Sequence, residues 1–404
     1  MSYREFEIRL QLFKNVQFLF FILSGVFATF GYGLIYISLS WSVYQYHSKI
    51  NSLTTLMLCL WLPSIIGSPF FGYCADRFNR KHLIILSNSV RGFVVVIFVL
   101  LSLNTTLQLN LYYLAVILGF FVSFYMPAAL PLMQEIVSKP QLLEANATAD
   151  MIYELGVILG MGISGFIITN YGWNITLLVG GIFFIFASIF NLMMKYKPLI
   201  NHTTMSFSLK RICLDYFTAI KYLTVNKNLI SIYIIQTLLM TLLMILPVIL
   251  LPFVVNILNA SSHEFSILES ALSGGVITGS LISPIITKKT SFKLTIIMLL
   301  GLISLALVFF SLSTVVKLSY LIYFAVGFGL SSWAVIITYG QIVIPNSLQG
   351  RIQAFFYSSA GIVVIIVYLG LDYISTQLSI YNLYLLAGLV SMLTIPLALT
   401  SIKE

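Results

Sequence analysis

Charged residues are scarce in this 404-residue chain: 8% are Asp, Glu, Lys or Arg, against 59% hydrophobic. A soluble domain carries about 25% charge. So little charge excludes a water-soluble fold, because even a large globular domain must cover itself with polar atoms. Acids are scarcer still, 12 against 21 basic residues, for a net charge of +9. That surplus does not mark a nucleic-acid partner, since the basic residues sit in short loops between apolar runs and no soluble domain carries them. Cysteine is also rare. Cys59, Cys74 and Cys213 have no metal-ligand spacing, which argues against disulfides, and the first two lie in or beside an apolar run as small, inert thiols. Of the four histidines, His47, His202 and His263 are in or near loops and His82 starts an apolar run; His263-Glu264 lacks the second His of a zinc-protease helix. No metal or cofactor is expected. A clustered catalytic set at one membrane face is missing, which argues against a membrane-embedded transferase. So is a phosphate-cradling Gly-rich loop ending in Lys-Ser or Lys-Thr, which excludes an ATP-driven pump subunit.

Long apolar runs are what the chain has instead. About 20 such residues cross roughly 30 Å of hydrocarbon. Runs at 16–40, 52–74, 82–103, 110–134, 147–169 and 174–194 qualify, then 228–255, 264–286, 293–313, 318–343, 351–373 and 379–400. These predict twelve transmembrane helices, since an open strand cannot satisfy its backbone in lipid and the runs lack barrel alternation. The first run is too long for a signal-peptide core and no small-residue cleavage site follows, so it reads as a retained span. Among the Lys and Arg, only Lys49 and Lys317 fall on or beside the odd-numbered loops. Positive-inside bias then places both termini in the cytoplasm.

The polar stretch from 196 to 227 divides the chain into six-span halves, 1–195 and 228–404. It reads as a linker, with an amphipathic surface helix over Ser208–Val225 as the alternative. Internal echoes point to duplication: Gly119-Phe120-Phe121-Val122-Ser123 in the fourth span resembles Gly327-Phe328-Gly329-Leu330-Ser331 in the tenth.

After the second span comes Gly72-Tyr73-Cys74-Ala75-Asp76-Arg77-Phe78-Asn79-Arg80-Lys81. Gly72 would let two helices approach closely. Asp76, among cations at the membrane face, would accept charge-assisted hydrogen bonds or cap a helix. The segment resembles the signature of the major facilitator superfamily. Trp41-Ser42-Val43-Tyr44, Leu62-Pro63-Ser64, Met126-Pro127-Ala128, Glu135-Ile136-Val137, Leu142 to Ala147 and Gly350-Arg351-Ile352-Gln353 extend it. Together they resemble the twelve-helix exporter branch that includes enterobactin exporters and macrolide-efflux proteins. There are departures. Ala129 stands where that branch commonly has Arg. Gly156 to Gly165 resembles the antiporter motif, with Met161 in place of Pro. The loop Thr287-Lys288-Lys289-Thr290 has no acid.

The resemblance implies two six-helix bundles rocking around a central cavity. Asp76 would then approach Arg351, and Gly72, Asp76, Arg77, Arg80, Glu135 and Arg351 would form a gate with a charge lock. Spans one, four, seven and ten would line the cavity, offering Tyr32, Tyr36, Tyr125, Gln236, Trp333 and Tyr339 to an amphipathic substrate. Ionisable groups inside spans default to function. Arg91 lies about 13 Å into the third span at 1.5 Å per residue, with Glu154 at similar depth in the fifth. Asp150 is one turn from Glu154, and Glu269 is near the outer end of the eighth span. Buried carboxylates take up and release protons, so Glu154, then Asp150 and Glu269, are the expected coupling residues. A structural Arg91–Glu154 pair is the alternative. Asp372 reads as interfacial. The expectation is a proton-coupled exporter of a siderophore or amphipathic drug in the bacterial inner membrane. It would work as a single chain. An importer by the same mechanism and a non-transporting sensor with the same fold are the alternatives.

Overall fold

The computed structural model describes residues 12–102, 110–138, 141–196, 217–218, 220–344 and 346–402. Helices run through nearly all of them, and no strand occurs among the described residues. That follows from the solvent, because a helix satisfies every backbone N–H and C=O within its own segment. In chain order they are α1 (Val16–His47), α2 (Ile50–Arg77), α3 (Arg80–Ser102), α4 (Leu111–Val122), α5 (Tyr125–Ile136), α6 (Leu142–Tyr171) and α7 (Trp173–Met193). Then come α8 (Lys227–Asn256), α9 (Ser262–Lys289), α10 (Phe292–Ser311), α11 (Val316–Leu330), α12 (Ser332–Val343), α13 (Asn346–Gln377), α14 (Ile380–Met392) and α15 (Thr394–Ser401). Twelve spans long and apolar enough to cross a membrane result, with α4–α5, α11–α12 and α14–α15 each forming one span in two pieces. Large apolar side chains such as Phe166, Leu192, Phe309, Leu321 and Leu369 are exposed on the outside. No soluble protein leaves so much of this surface to water; lipid is the solvent here.

Short turns are set by local chemistry. Gly172, at φ 86°, is the one-residue turn between α6 and α7, in a region that residues with a Cβ avoid. Ser261 and Glu264 close a capping box at α9, with Ser261 N donating to Glu264 Oε2 at 2.9 Å. His263-Glu264 is thus part of a helix start. Asn110, Ser291 and Ser379 cap α4, α10 and α14.

Contacts divide the chain into two compact units, Met1–His47 with Thr55–Ser206, and Ser48–Thr54 with Phe207–Glu404. The same pairings recur in each. In the first unit α1 packs on α6 and α7, and α3 on α4 and α7. In the second, α8 packs on α13 and α14, and α10 on α11 and α14. The sequence echo falls on one shared feature. A Cβ on Gly119 would lie 2.2 Å from Leu60 O of α2, and one on Gly327 would lie 1.9 Å from Leu272 O of α9. Both backbones touch their neighbour where only glycine fits. Each span then breaks four residues on, at Ser123 and Ser331, with i→i+3 bonds (Phe124 N to Phe121 O, 3.3 Å; Ser331 N to Phe328 O, 3.2 Å).

Of the linker, residues 217–218 and 220–225 are helical, on the approach to α8. The amphipathic helix expected from Ser208 otherwise lies outside the described residues.

Candidate functional site

Among the described residues, four gatherings of polar groups bear on function. The first is where α2 hands over to α3. Arg80, first residue of α3, forms an ion pair with Glu135 of α5, and its Nε reaches Ala75 O at 3.4 Å. The other Glu135 oxygen accepts from the Tyr196 hydroxyl, beyond α7. Burial first, then the adjacent Glu135 carboxylate, push the Tyr196 phenol well above its ordinary range, so it stays a donor. Lys81 Nζ donates to Leu192 O at 3.1 Å and Met194 O at 2.6 Å, placing a cation at the negative end of α7. Together these contacts tie the ends of α2, α3, α5 and α7. Two expectations change here. Among the described residues of the first unit, Gly72 marks no close helix approach, because a Cβ there meets no atom within 4 Å. The cap of α3 is Asn79, whose Oδ1 accepts from Lys81 N at 3.0 Å; Asp76 sits in the last turn of α2 instead. Arg77 bonds the Tyr73 hydroxyl of its own helix. The side chains of Asp76, Arg351 and Asp372 lie outside the described residues.

The second place is Arg91 in α3, 4% exposed. Its Nε donates to Ser87 O at 3.1 Å, and a terminal nitrogen to Asn88 Oδ1 at 2.5 Å. Its guanidinium lies 4.2 Å from the Phe184 ring centroid and 5.8 Å from that of Tyr125, close enough for cation–π attraction. No Arg91–Glu154 pair forms. Glu154 and Asp150 lie on the exposed side of α6, whereas Arg91 points into the unit. Tyr32 and Tyr36 of α1 stack at 5.9 Å.

The third is Glu269 of α9, 3% exposed, with Oε1 making no hydrogen bond. Tyr384 of α14, fully buried, lies within electrostatic reach. An unpaired carboxylate at such depth is costly in its charged form.

The fourth is a cavity of about 340 Å³ inside the second unit, between α8, α12 and the start of α13. Gln236 lines it, as do Tyr233, Gln353, Phe356 and Tyr357. Trp333 stands behind, 5.6 Å from Phe356 between ring centroids. Tyr339 turns away and packs on Phe292 at 5.7 Å. Reading whole spans pointed to Gln236 and missed Tyr233 and Gln353. Tyr233 is one turn from Gln236 on the same helical face, a signal that was there to use.

A model of the Major Facilitator Superfamily matches residues 21–368. The chain belongs to that superfamily. It is a multi-pass membrane protein of the facilitator fold, in a family of transporters and not of enzymes. Among curated relatives, an uncharacterized MFS-type transporter, YfiS, of Bacillus subtilis (strain 168) is 28% identical over 153 residues, 37% of this chain and 36% of that protein. Multidrug resistance protein 2 of the same organism is 30% identical over 148 residues, 36% of each chain. The enterobactin exporter EntS of Shigella flexneri is 32% identical over 124 residues, 29% of this chain and 30% of that one. Each match thus spans about a third of the relative's length. Solved structures match throughout. The nucleoside transporter NupG superposes with a TM-score of 0.73 at 14% identity, covering 98% of this chain and 100% of that one. A D-xylose-proton symporter gives 0.72 at 14% identity, covering 96% and 98%.

Proposed function

We propose that the chain exports a small organic molecule from the bacterial cytoplasm in exchange for protons, its two six-helix halves alternating in access. Both termini and the α2–α3 turn then face the cytoplasm, as the loop charges require. The observation that carries this reading is the Glu135-centred network. It braces one end of the first unit into a rigid piece, and a rigid piece is what a rocking mechanism moves. Asp76 and Arg351 would complete a lock between the halves on that side; a few kcal/mol is enough to bias two states of similar energy. Export is favoured over import by the named relatives, an enterobactin exporter and a multidrug resistance protein. A siderophore or an amphipathic drug is the class of substrate they support.

For the proton, burial reverses the order expected from depth alone. Glu269 is enclosed and leaves one carboxylate oxygen unsatisfied, whereas Glu154 and Asp150 are exposed. Glu269 is therefore the first candidate for the coupling group.

Everted vesicles, with labelled substrates and an acid lumen, test the reading. A catechol siderophore, a neutral drug and a cationic drug form the panel. Accumulation of at least one, abolished by a protonophore, is expected. Accumulation that ignores the protonophore overturns proton coupling, and uptake only from the opposite face makes the chain an importer.

A further inference from the structure

The cavity between α8, α12 and α13 has two features that together point to a ligand. Its described lining residues carry no charged side chain. Yet Gln236 is only 7% exposed, and its amide makes no hydrogen bond among the described residues. Its amide is not sealed in protein but opens onto the cavity, where its donor and acceptor capacity is there for a ligand to use. Gln353, half-buried on α13, lines the same space with its amide equally unspent. Tyr233 is different: its hydroxyl is already bonded to Ser359 and its ring packs on Phe355 and Phe356 at 5.8 and 5.1 Å. It is wall, and the two glutamines are the free recognition groups.

A primary amide both donates and accepts, so two of them suit a ligand bearing amide, hydroxyl or carbonyl groups. Ile232, Ile337 and Phe356 supply an apolar and aromatic surface for the rest of the ligand. A charged group is poorly served, because no described lining residue neutralises it and its desolvation would go uncompensated there. The volume of about 340 Å³ lies at the lower end of the range of about 300–1,000 Å³ for small-molecule sites. We propose that this cavity binds an uncharged amphipathic molecule through Gln236 and Gln353. The site lies wholly within the second unit, at the end where α8 and α13 begin and α12 finishes. The proposal rests on the reading of the chain as a carrier of small organic molecules and names the class of cargo.

Binding is measured on the full chain in lipid nanodiscs, with Trp41, Trp61 and Trp173 replaced by Phe so that Trp333 alone reports. Chloramphenicol is the probe: it is neutral, has an amide and two hydroxyls, and its nitrophenyl ring quenches indole. Saturable quenching is expected. Tetraphenylphosphonium and naphthalene-2-sulfonate, a cation and an anion of related bulk, should fail to displace it at equal concentration. Gln236→Leu should raise the dissociation constant about tenfold or more, and Gln353→Leu should weaken binding as well. Neither change removes a hydrogen bond found among the described residues, so both variants should elute as the parent does. Quenching unchanged in Gln236→Leu, displacement by either ion, or no saturable quenching overturns the site. Equilibrium binding needs no gradient. Binding without proton-driven accumulation would sink the export reading alone, and accumulation of the vesicle panel without binding here would sink this site alone.

Discussion

Glu135 accepts from Arg80 through one oxygen and from Tyr196 through the other, and its removal strands both partners. Leaving a part-buried polar group unmatched costs about 1–3 kcal/mol. Glu135→Leu should therefore lower the thermal midpoint in detergent clearly more than Tyr196→Phe, which deletes a single donor. Equal midpoints would show that the ion pair contributes nothing. Arg80 and Glu135 were legible because charges are rare in this sequence and each stands out at a span end. Tyr196 was not, being one of 23 tyrosines with nothing local to mark it. At Glu269 the expected outcome is functional. Glu269→Gln should abolish proton-driven accumulation while leaving substrate exchange in the absence of a gradient, and Glu154→Gln should leave both intact. Transport assays in the same vesicles separate the two, and gradient-driven accumulation by Glu269→Gln would move the coupling group elsewhere.

The twelve apolar runs followed from hydropathy alone, but some helix ends did not, α1 running on to His47 and α6 starting at Leu142, and neither did the joints within helices. The fourth and tenth spans read as continuous runs and are in fact broken at Ser123 and Ser331. Pro127 accounts for part of the first break, since it has no N–H to give to Ser123 O; the tenth span has no such proline and breaks at the equivalent place. The Gly-to-Ser echo was visible, whereas what it encodes, a backbone contact followed by a tightened turn, needs a neighbouring helix to appear. Glycine substitutions separate the two kinds of position. Gly327→Ala puts a methyl 1.9 Å from Leu272 O, so α9 and α11 must part; overpacking of this kind costs about 1–3 kcal/mol. Gly72→Ala meets nothing within 4 Å and should leave the thermal midpoint unchanged. A loss at Gly72 equal to that at Gly327 would return the close-approach role to it.

For the molecule as a whole, the repeated pairings in the two units fit a duplicated design, and the proposed mechanism asks these units to move against each other. The proposed Asp76–Arg351 lock makes a direct prediction. Asp76→Cys and Arg351→Cys, combined in a cysteine-free chain, should cross-link in the resting transporter and stop transport, and reduction should restore it. Free thiols under oxidant would refute the lock. Asp76→Asn should slow transport severalfold, and a wild-type rate would argue against any gating role. Composition and run length determined by themselves that the chain lives in lipid, that it is helical and that it crosses twelve times, because burying backbone and charge in hydrocarbon permits little else. Which polar side chains meet was decided by tertiary structure alone. Arg91 lies over Phe184 of α7, its hydrogen bonds staying on its own helix, and not beside Glu154, and Gln236 and Gln353 line one cavity from two helices, since partners on different helices depend on how those helices rotate and cross, and an apolar run with no side-specific pattern leaves that rotation open.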